Sequence, residues 1–182
     1  MIVNKTPIDG LLILEPKVFG DNRGHFFESY NSVEFDNSVG SQYEFVQDNQ
    51  SLSDKGVLRG LHFQNPPFAQ GKLVRVVQGS VLDVAVDIRR SSPTYGDHFS
   101  IELSAENNKQ LWIPPGFAHG FISLEDKTIF LYKCTNYYSL ESEGAIMWND
   151  PDLAIDWQII PTSISKKDKK GLEFSKFASQ FV

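Results

Sequence analysis

The sequence predicts a mainly β protein of the jelly-roll kind, a barrel or sandwich built from antiparallel strands. Short runs rich in Val, Ile, Leu and Phe recur along the chain, and Gly, Pro, Asn or Asp residues separate them. Runs of this length and spacing are typical of strands joined by turns. Long stretches with the 3.6-residue period of an amphipathic helix are absent, which excludes a helical bundle.

The predicted strands follow one another along most of the chain. In order they are LLILEP (11–16), HFFESY (25–30), YEFVQDNQS (43–51), KLVRVV (72–77), VLDVAVDI (81–88), HFSIELS (98–104), KQLWIPP (109–115) and TIFLYKCTNYYS (128–139), and His62, in LRGLHFQNPPFAQGK (58–72), also lies on a predicted strand. Only VEFDN, near residue 35, and the tail from Ser165 onward have helical character. We therefore expect short helices at the periphery.

The runs at 72–77 and 81–88 flank Gly79, and this pattern predicts a β-hairpin. Alternation in the second run places the even-numbered residues from Leu82 to Ile88 on one face, as an apolar core stripe. The opposite face carries Asp83 and Asp87.

Length and composition limit the class of protein. The chain of 182 residues shows no repeat or linker and is predicted to form one domain, residues 1–182. A net charge of −6 disfavours nucleic acid or an anionic membrane as a partner. Cys134 is the only cysteine, and no apolar run reaches the length of a signal peptide or a membrane span. We expect a soluble, cytoplasmic protein.

His62 lies in LRGLHFQNPPFAQGK, residues 58–72, between Arg59 and Lys72. A single histidine on a strand is more often structural than catalytic. Two neighbouring cations favour a pocket for an anionic ligand such as a phosphate. The alternative is that both cations are ordinary surface charges.

A second histidine, His119, follows a turn in IPPGFAHGF, residues 113–121. A metal site made of three histidines and a glutamate would need a further imidazole near residue 64 and a carboxylate soon after it. Phe63, Gln64 and Asn65 supply neither group. The sequence thus disfavours a metal site and favours an acid or base role for His62.

Three tyrosines, Tyr132, Tyr137 and Tyr138, lie in FLYKCTNYYS. The commoner role for such residues is to fill a core or an interface, with the hydroxyl group at its rim. The functional alternative gives one tyrosine to proton transfer and another to stacking on a flat ligand.

The segment ISKKD, residues 164–168, has the pattern of a helix start. Ser165 would be the N-cap, and Asp168 would be the acidic residue three positions later. On this pattern alone, Asp168 has a structural role.

Taken together, the motifs resemble those of the dTDP-4-dehydrorhamnose 3,5-epimerase family over nearly the whole chain. The matching segments, in the same order, are DNRGHFFESY, QDNQS, GVLRGLHFQ, QGKLVRVVQGSVLDVAVDIR, SPTYG, LWIPPGFAHGF, YKCTNYYS, WNDPDLAIDW and ISKKD. The resemblance implies a cupin-type jelly roll, a homodimer, and activity without a metal or an organic cofactor.

The resemblance also implies the substrate, a dTDP-linked 4-keto-6-deoxyhexose on the route to dTDP-L-rhamnose. Its C3 and C5 both flank the C4 carbonyl, so enolate formation acidifies their hydrogens. By this resemblance His62 is the base and Asp168 the carboxylate that orients its ring. Tyr132 is then the acid on the far side, and Lys72 stabilises the oxyanion.

Substrate-binding residues also follow from the resemblance. Arg23 and Arg59 would clamp the diphosphate with help from Lys167, and Tyr138 would stack on thymine. Phe26 would pack on the nucleotide, and the polar contacts would be Glu28, Gln47, Asp48, Asn49, His119 and Glu143. The alternative is surface polarity for Glu28, Gln47 and Glu143, and turn or strand-end chemistry for Asp48 and Asn49.

The chain departs from the family pattern at three positions. Phe63 stands where the family has Tyr, Leu140 where it has Pro, and Gln158 where it has Pro. None of them replaces a proposed acid or base. Three other functions stay open: an epimerase acting on C3 alone or C5 alone, a non-catalytic sugar-nucleotide-binding protein on the same barrel, and a metal-dependent cupin isomerase or oxygenase.

Overall fold

The computed structural model describes residues 1–182, with fourteen strands, one α-helix and two 3₁₀ helices. The strands are β1 (Ile2–Lys5), β2 (Leu12–Glu15), β3 (Phe19–Asp21), β4 (Gly24–Phe26), β5 (Gln47–Ser53), β6 (Val57–Gln64), β7 (Lys72–Gln78), β8 (Ser80–Asp87), β9 (His98–Ser104), β10 (Gln110–Ile113), β11 (Phe117–Ser123), β12 (Thr128–Cys134), β13 (Glu143–Ala145) and β14 (Ser163–Ile164). The helix α1 spans Ser32–Val39, and the 3₁₀ helices span Asp168–Lys170 and Phe174–Lys176.

Two antiparallel sheets face each other and form the barrel. The first has the strand order β1-β2-β10-β7-β12-β5, and the second has the order β13-β6-β11-β8-β9, with β14 added in parallel to β6. Strands β3 and β4 form a separate hairpin. The predicted mainly β, jelly-roll fold with short peripheral helices is confirmed.

The predicted hairpin at Gly79 is wrong. Strands β7 and β8 do turn at Gly79, where φ is 76°, but β7 pairs with β10 and β12, whereas β8 pairs with β9 and β11. The turn is a corner at which the chain passes from one sheet to the other. A Cβ at residue 79 would lie 2.4 Å from the Thr128 hydroxyl oxygen, so this corner has no room for a side chain.

Strand β8 is buried on both faces, because an apolar layer lies on each side of the second sheet. Leu82 and Val84 belong to an outer cluster with Trp157, whereas Val81 and Ala85 belong to the core between the two sheets. All eight residues of β8 are buried, including both carboxylates of the predicted polar face. Each carboxylate has partners: Asp83 bonds with His119, and Asp87 bonds with Arg89, Ser92 and Thr94.

Several predicted elements differ from the observed ones at their ends. The HFFESY strand is short, since β4 ends at Phe26, and the strand predicted from residue 43 begins at Gln47. The predicted helix near residue 35 is confirmed: Asn31 caps it by accepting a bond from the Glu34 N–H at 3.2 Å. The tail from Ser165 contains only 3₁₀ turns. No helix has both the length and the apolar character needed to cross a membrane.

The C-terminal segment covers the outer face of the second sheet and is anchored by the WNDPDLAIDW motif. The Asp150 carboxylate is buried and accepts hydrogen bonds from the backbone N–H groups of Asp152, at 2.9 Å, and Phe174, at 2.7 Å. The Trp157 indole N–H donates to the Trp148 carbonyl at 2.9 Å. These contacts hold the segment that carries Asp168.

Candidate active site

His62 and Asp168 are in direct contact, although 106 residues separate them. The His62 Nε2 atom lies 2.6 Å from Asp168 Oδ1. The contact follows from β14, because its parallel pairing with the start of β6 brings the ISKKD segment alongside the strand that carries His62. The Ser165 hydroxyl accepts a hydrogen bond from the Asp168 backbone N–H at 3.0 Å. Asp168 therefore makes both contacts anticipated from the sequence: its backbone N–H bonds with the Ser165 cap, and its carboxylate lies behind the His62 imidazole.

The His62–Asp168 pair is buried at the carboxylate and open at the imidazole. The Asp168 side chain is 4% exposed and the His62 side chain 30% exposed. Burial acts to raise the pKa of Asp168, but the hydrogen bond and charge of His62 outweigh it and bring that pKa below its ordinary value. The carboxylate thus stays ionised and fixes Nε2 as the inner nitrogen, which leaves Nδ1 for a ligand.

Lys72 and Tyr132 approach the same cavity from the opposite sheet. Alternate residues of β7 and β12, namely Val74, Val76 and Phe130, belong to the core between the sheets, so Lys72 and Tyr132 also point inward. His62 lies on β6 of the second sheet. All three side chains line a cavity of about 410 Å³. The His62 imidazole thus lies on one wall of the cavity, and the Lys72 amine and the Tyr132 phenol lie on the opposite wall.

Burial shifts the pKa values of both Lys72 and Tyr132. It lowers the pKa of Lys72, and the nearby Cys134, Asp83 and Glu143 oppose that shift. It also raises the pKa of Tyr132, with an added contribution from Cys134. Tyr132 is therefore a protonated phenol at neutral pH, which is the form that can deliver a proton.

His119 forms a second His–Asp pair beside the first. It is the cross-strand neighbour of His62, and its Nε2 lies 2.9 Å from Asp83 Oδ2. Asp83 is fully buried at 0% exposure. His119 was predicted from the resemblance to be a substrate contact, whereas Asp83 had no predicted role. The only signal for Asp83 was a carboxylate on an otherwise apolar strand.

Arg59 lines the same cavity near its rim. Its Nε donates to the Ser53 hydroxyl at 3.2 Å, and one terminal nitrogen lies 3.4 Å from the Leu52 carbonyl. Neither partner is a carboxylate, so the guanidinium charge is available to an anion.

An adjoining compartment of about 360 Å³ shares His62, Lys72, Tyr132 and Glu143 with the first. Its other lining includes Gln47, Asn49 and Tyr138. The Tyr138 hydroxyl donates to Glu143 Oε2 at 3.0 Å, and Glu143 also pairs with Lys167. An exposed aromatic ring, a carboxylate and an ammonium group thus border this compartment.

Four of the residues assigned to the site lie elsewhere. Arg23 and Phe26 belong to the β3–β4 hairpin, Glu28 follows it, and none of the three lines either compartment. Arg23 pairs with Asp21 at 2.5 Å. Asp48 lies on the outer face of β5, because Gln47 and Asn49 point inward, and its carboxylate bonds with Lys133 at 3.0 Å.

Comparison with known proteins identifies the family. The model of the dTDP-4-dehydrorhamnose 3,5-epimerase family matches residues 5–176. The Salmonella typhimurium protein of that name is 62% identical over 157 residues, which are 86% of each chain. The chain belongs to the dTDP-4-dehydrorhamnose 3,5-epimerase family.

Two solved structures of related epimerases are also similar. An epimerase from Legionella pneumophila, in complex with dTDP-4-keto-L-rhamnose, is 49% identical with a TM-score of 0.94, and the match covers 97% of this chain and 94% of that one. The 3′-monoepimerase ChmJ from Streptomyces bikiniensis, in complex with dTDP-quinovose, is 32% identical with a TM-score of 0.88, over 93% and 86% of the two chains. The resemblance stated from the sequence motifs is confirmed.

Two of the three departures from the epimerase family pattern, Leu140 and Gln158, lie outside both compartments, and the third, Phe63, borders only the adjoining compartment. Phe63 is buried on the outer side of β6 and packs against Phe177 at 5.1 Å between ring centroids, so a hydroxyl there would enter an apolar cluster. Leu140 is 74% exposed, two residues beyond Tyr138. Gln158 has a positive φ of 63°, a conformation closed to proline.

Gln64 occupies the position where a cupin metal site would need its second imidazole. Its amide is instead bonded to backbone groups of two loops, at Phe68, Tyr137 and Ser139. No group of three or more His, Cys, Asp and Glu side chains in residues 1–182 is arranged to hold a metal ion.

Proposed function

We propose that this chain inverts the configuration at C3 and C5 of dTDP-4-dehydro-6-deoxy-D-glucose and so forms dTDP-4-dehydro-L-rhamnose. One observation carries the proposal: an imidazole backed by a buried carboxylate lines one wall of a cavity whose other wall carries the Tyr132 phenol and the Lys72 amine. Inversion at carbon requires removal of a proton from one face and its return on the other. This arrangement supplies both.

The chemistry begins at His62 Nδ1, which takes the proton from the carbon next to the C4 carbonyl. The electron pair moves into the carbonyl and forms an enolate, whose oxygen Lys72 stabilises. The Tyr132 hydroxyl then delivers its proton to the opposite face of the same carbon, and the C4 carbonyl re-forms. His62 has gained a proton and Tyr132 has lost one, so exchange with water restores both before the second carbon reacts.

The nucleotide would occupy the rim of this cavity and the adjoining compartment. Arg59 and Lys167 provide positive charge for the diphosphate, and the exposed Tyr138 ring provides a stacking surface for thymine. Polar contacts around the nucleotide would come from Gln47, Asn49, His119 and Glu143.

We also propose that the protein works as a homodimer in the cytoplasm. The β3–β4 hairpin carries Phe26, which is 68% exposed, and a two-stranded hairpin alone is marginally stable in water. In such a dimer, the hairpin of one copy would also bring its Arg23, Phe26 and Glu28 to the substrate bound by the other copy. Light scattering on the eluting protein tests this, with twice the 20.6 kDa chain mass expected. A fully active species of single-chain mass would contradict it.

A second candidate is an epimerase that acts on one carbon only, which the similarity to ChmJ favours. Incubation of the substrate in D₂O, followed by NMR, separates the candidates because each inverted carbon acquires deuterium. Deuterium at both C3 and C5 is expected. Deuterium at one carbon would establish the single epimerase, and deuterium at neither would establish a non-catalytic binding protein. His62→Ala is the control, and it should retain dTDP binding while losing the exchange.

A further inference from the structure

The loop at residues 137–139 carries the Tyr138 ring and is held by side chains that reach up from the barrel strands. Three consecutive residues in it have a backbone group bonded to a glutamine side chain. Gln64, on β6, bonds with the Tyr137 carbonyl and the Ser139 N–H. Gln47, on β5, accepts a hydrogen bond from the Tyr138 N–H at 3.0 Å.

Gln64 uses both N–H donors and the oxygen of its amide in these contacts. Its two N–H donors reach the Phe68 carbonyl at 2.6 Å and the Tyr137 carbonyl at 3.0 Å, and its oxygen accepts from the Ser139 N–H at 2.7 Å. The residue is 5% exposed, so water does not replace a lost bond at low cost. Neither an imidazole nor a carboxylate provides two donors and one acceptor on a single planar group.

The Tyr138 ring itself extends from this loop with few contacts of its own. The residue is 55% exposed, and its hydroxyl donates to Glu143. The position of the ring therefore depends on the backbone that carries it. That backbone is tied to the barrel immediately before and after Tyr138 by Gln64.

We propose that Gln64 is a positioning residue for the nucleobase: it fixes the Tyr138 loop so that the ring lies where the base of the nucleotide stacks. This inference rests on the proposed function, in which Tyr138 is the stacking surface. Gln64 does not contact the diphosphate clamp, which is built from Arg59 and Lys167. Loss of Gln64 should thus weaken binding of the base and leave binding of the diphosphate unchanged.

The test compares two probes, dTDP and inorganic pyrophosphate, in the full chain by titration calorimetry. Gln64→Met keeps the length of the side chain and removes all three hydrogen bonds. We expect dTDP affinity to fall roughly tenfold, which corresponds to a large part of the free energy of one base–aromatic stack. Pyrophosphate affinity should stay within about twofold, and KM should rise while kcat at saturation changes little.

Two further variants serve as controls for this experiment. Gln64→Asn keeps a buried amide but shortens its reach, so it decides the matter if Gln64→Met does not fold. Gln78→Met is the matched control, because Gln78 makes one amide bond, to the Lys127 carbonyl at 3.0 Å, at the other end of the barrel. Equal loss of both probes, no loss of dTDP affinity, or the same loss in Gln78→Met would overturn the inference.

Tyr138→Ala separates this inference from the proposed function. If Tyr138→Ala weakens dTDP and the Gln64 variants do not, only the role of Gln64 is wrong. If Tyr138→Ala leaves dTDP affinity unchanged, the stacking surface itself is misassigned, and the proposed function loses its nucleobase contact.

Discussion

Replacement of Asp168 by asparagine tests the central feature of the site most directly. The carboxylate lies 2.6 Å from His62 Nε2, is 4% exposed and has a lowered pKa, so it is an ionised acceptor that holds one tautomer of the ring. An asparagine of the same shape presents either a neutral oxygen or an N–H donor to Nε2. The donor form would hold the ring with the proton on Nδ1, the nitrogen that must act as the base.

The expected loss is the contribution of a correctly oriented base, roughly 10²–10⁴-fold in kcat. KM should change little, because the Asp168 carboxylate is buried and bonded to His62. The assay is deuterium incorporation at C3 and C5 at saturating substrate. Asp150→Asn is the matched control, since Asp150 is a buried carboxylate of the same segment that bonds only with backbone N–H groups. It should lower the unfolding midpoint and reduce kcat far less than Asp168→Asn does.

A loss of less than about tenfold in Asp168→Asn would refute the argument, since an unoriented imidazole does not give near-normal rates at a carbon acid. An equal loss in Asp150→Asn would refute it too, because the effect would then come from the fold of the segment.

Tyr132→Phe should lower kcat by roughly 10²-fold or more with little change in dTDP affinity, because it removes the proton donor of one face; single-turnover kinetics in D₂O measures this. Asp83→Asn should raise KM roughly tenfold, since the His119 ring loses its charged partner, and a larger fall in kcat than in kcat/KM would contradict that role. Burial acts to raise the pKa of Asp87, but hydrogen bonds led by that from Arg89 leave it below 3.8. Its contribution to stability is therefore present above the pKa of the unfolded carboxyl and is lost as the pH falls through the folded value. Urea unfolding at pH 7 and pH 3 should thus show a smaller acid-induced loss for Asp87→Asn than for the unchanged protein. Prolonged treatment with a chelator should leave kcat unchanged, and loss of activity that a divalent ion restores would support a metal-dependent reaction instead.

The resemblance to the family, and not the strand pattern, brought His62, Lys72 and Tyr132 together as one predicted site. In the structure these residues lie on three strands, and the period of two is consistent with their pointing into the same cavity. Alternation along a strand does not determine which other strands it pairs with. The Gly79 turn was predicted correctly, yet its two strands belong to different sheets, because a strand buried on both faces pairs equally well with several neighbours.

Two carboxylates, Asp83 and Asp48, also lie in positions that the sequence did not indicate. Alternation put Asp83 on the face opposite the predicted core stripe, yet that face, with Val81 and Ala85, points into the core between the two sheets, and the predicted stripe packs against the outer cluster. Asp48 was assigned with Gln47 and Asn49 as one polar block, although adjacent residues of a strand point to opposite faces. Its pairing with Lys133 is a consequence of that alternation.

The contact between His62 and Asp168 has a physical requirement that local sequence does not reveal. A base held in one tautomer needs a carboxylate fixed behind it, and β6 supplies none on its own inward face, where Gln64 serves the loop of Tyr138. The carboxylate comes instead from a two-residue parallel strand, β14, and a capped turn. Two backbone pairs of β14 set this register, and the outer apolar cluster around Trp157 helps to keep the segment in place. Substitutions in that cluster, remote from the substrate, should therefore reduce kcat through Asp168 before they unfold the barrel.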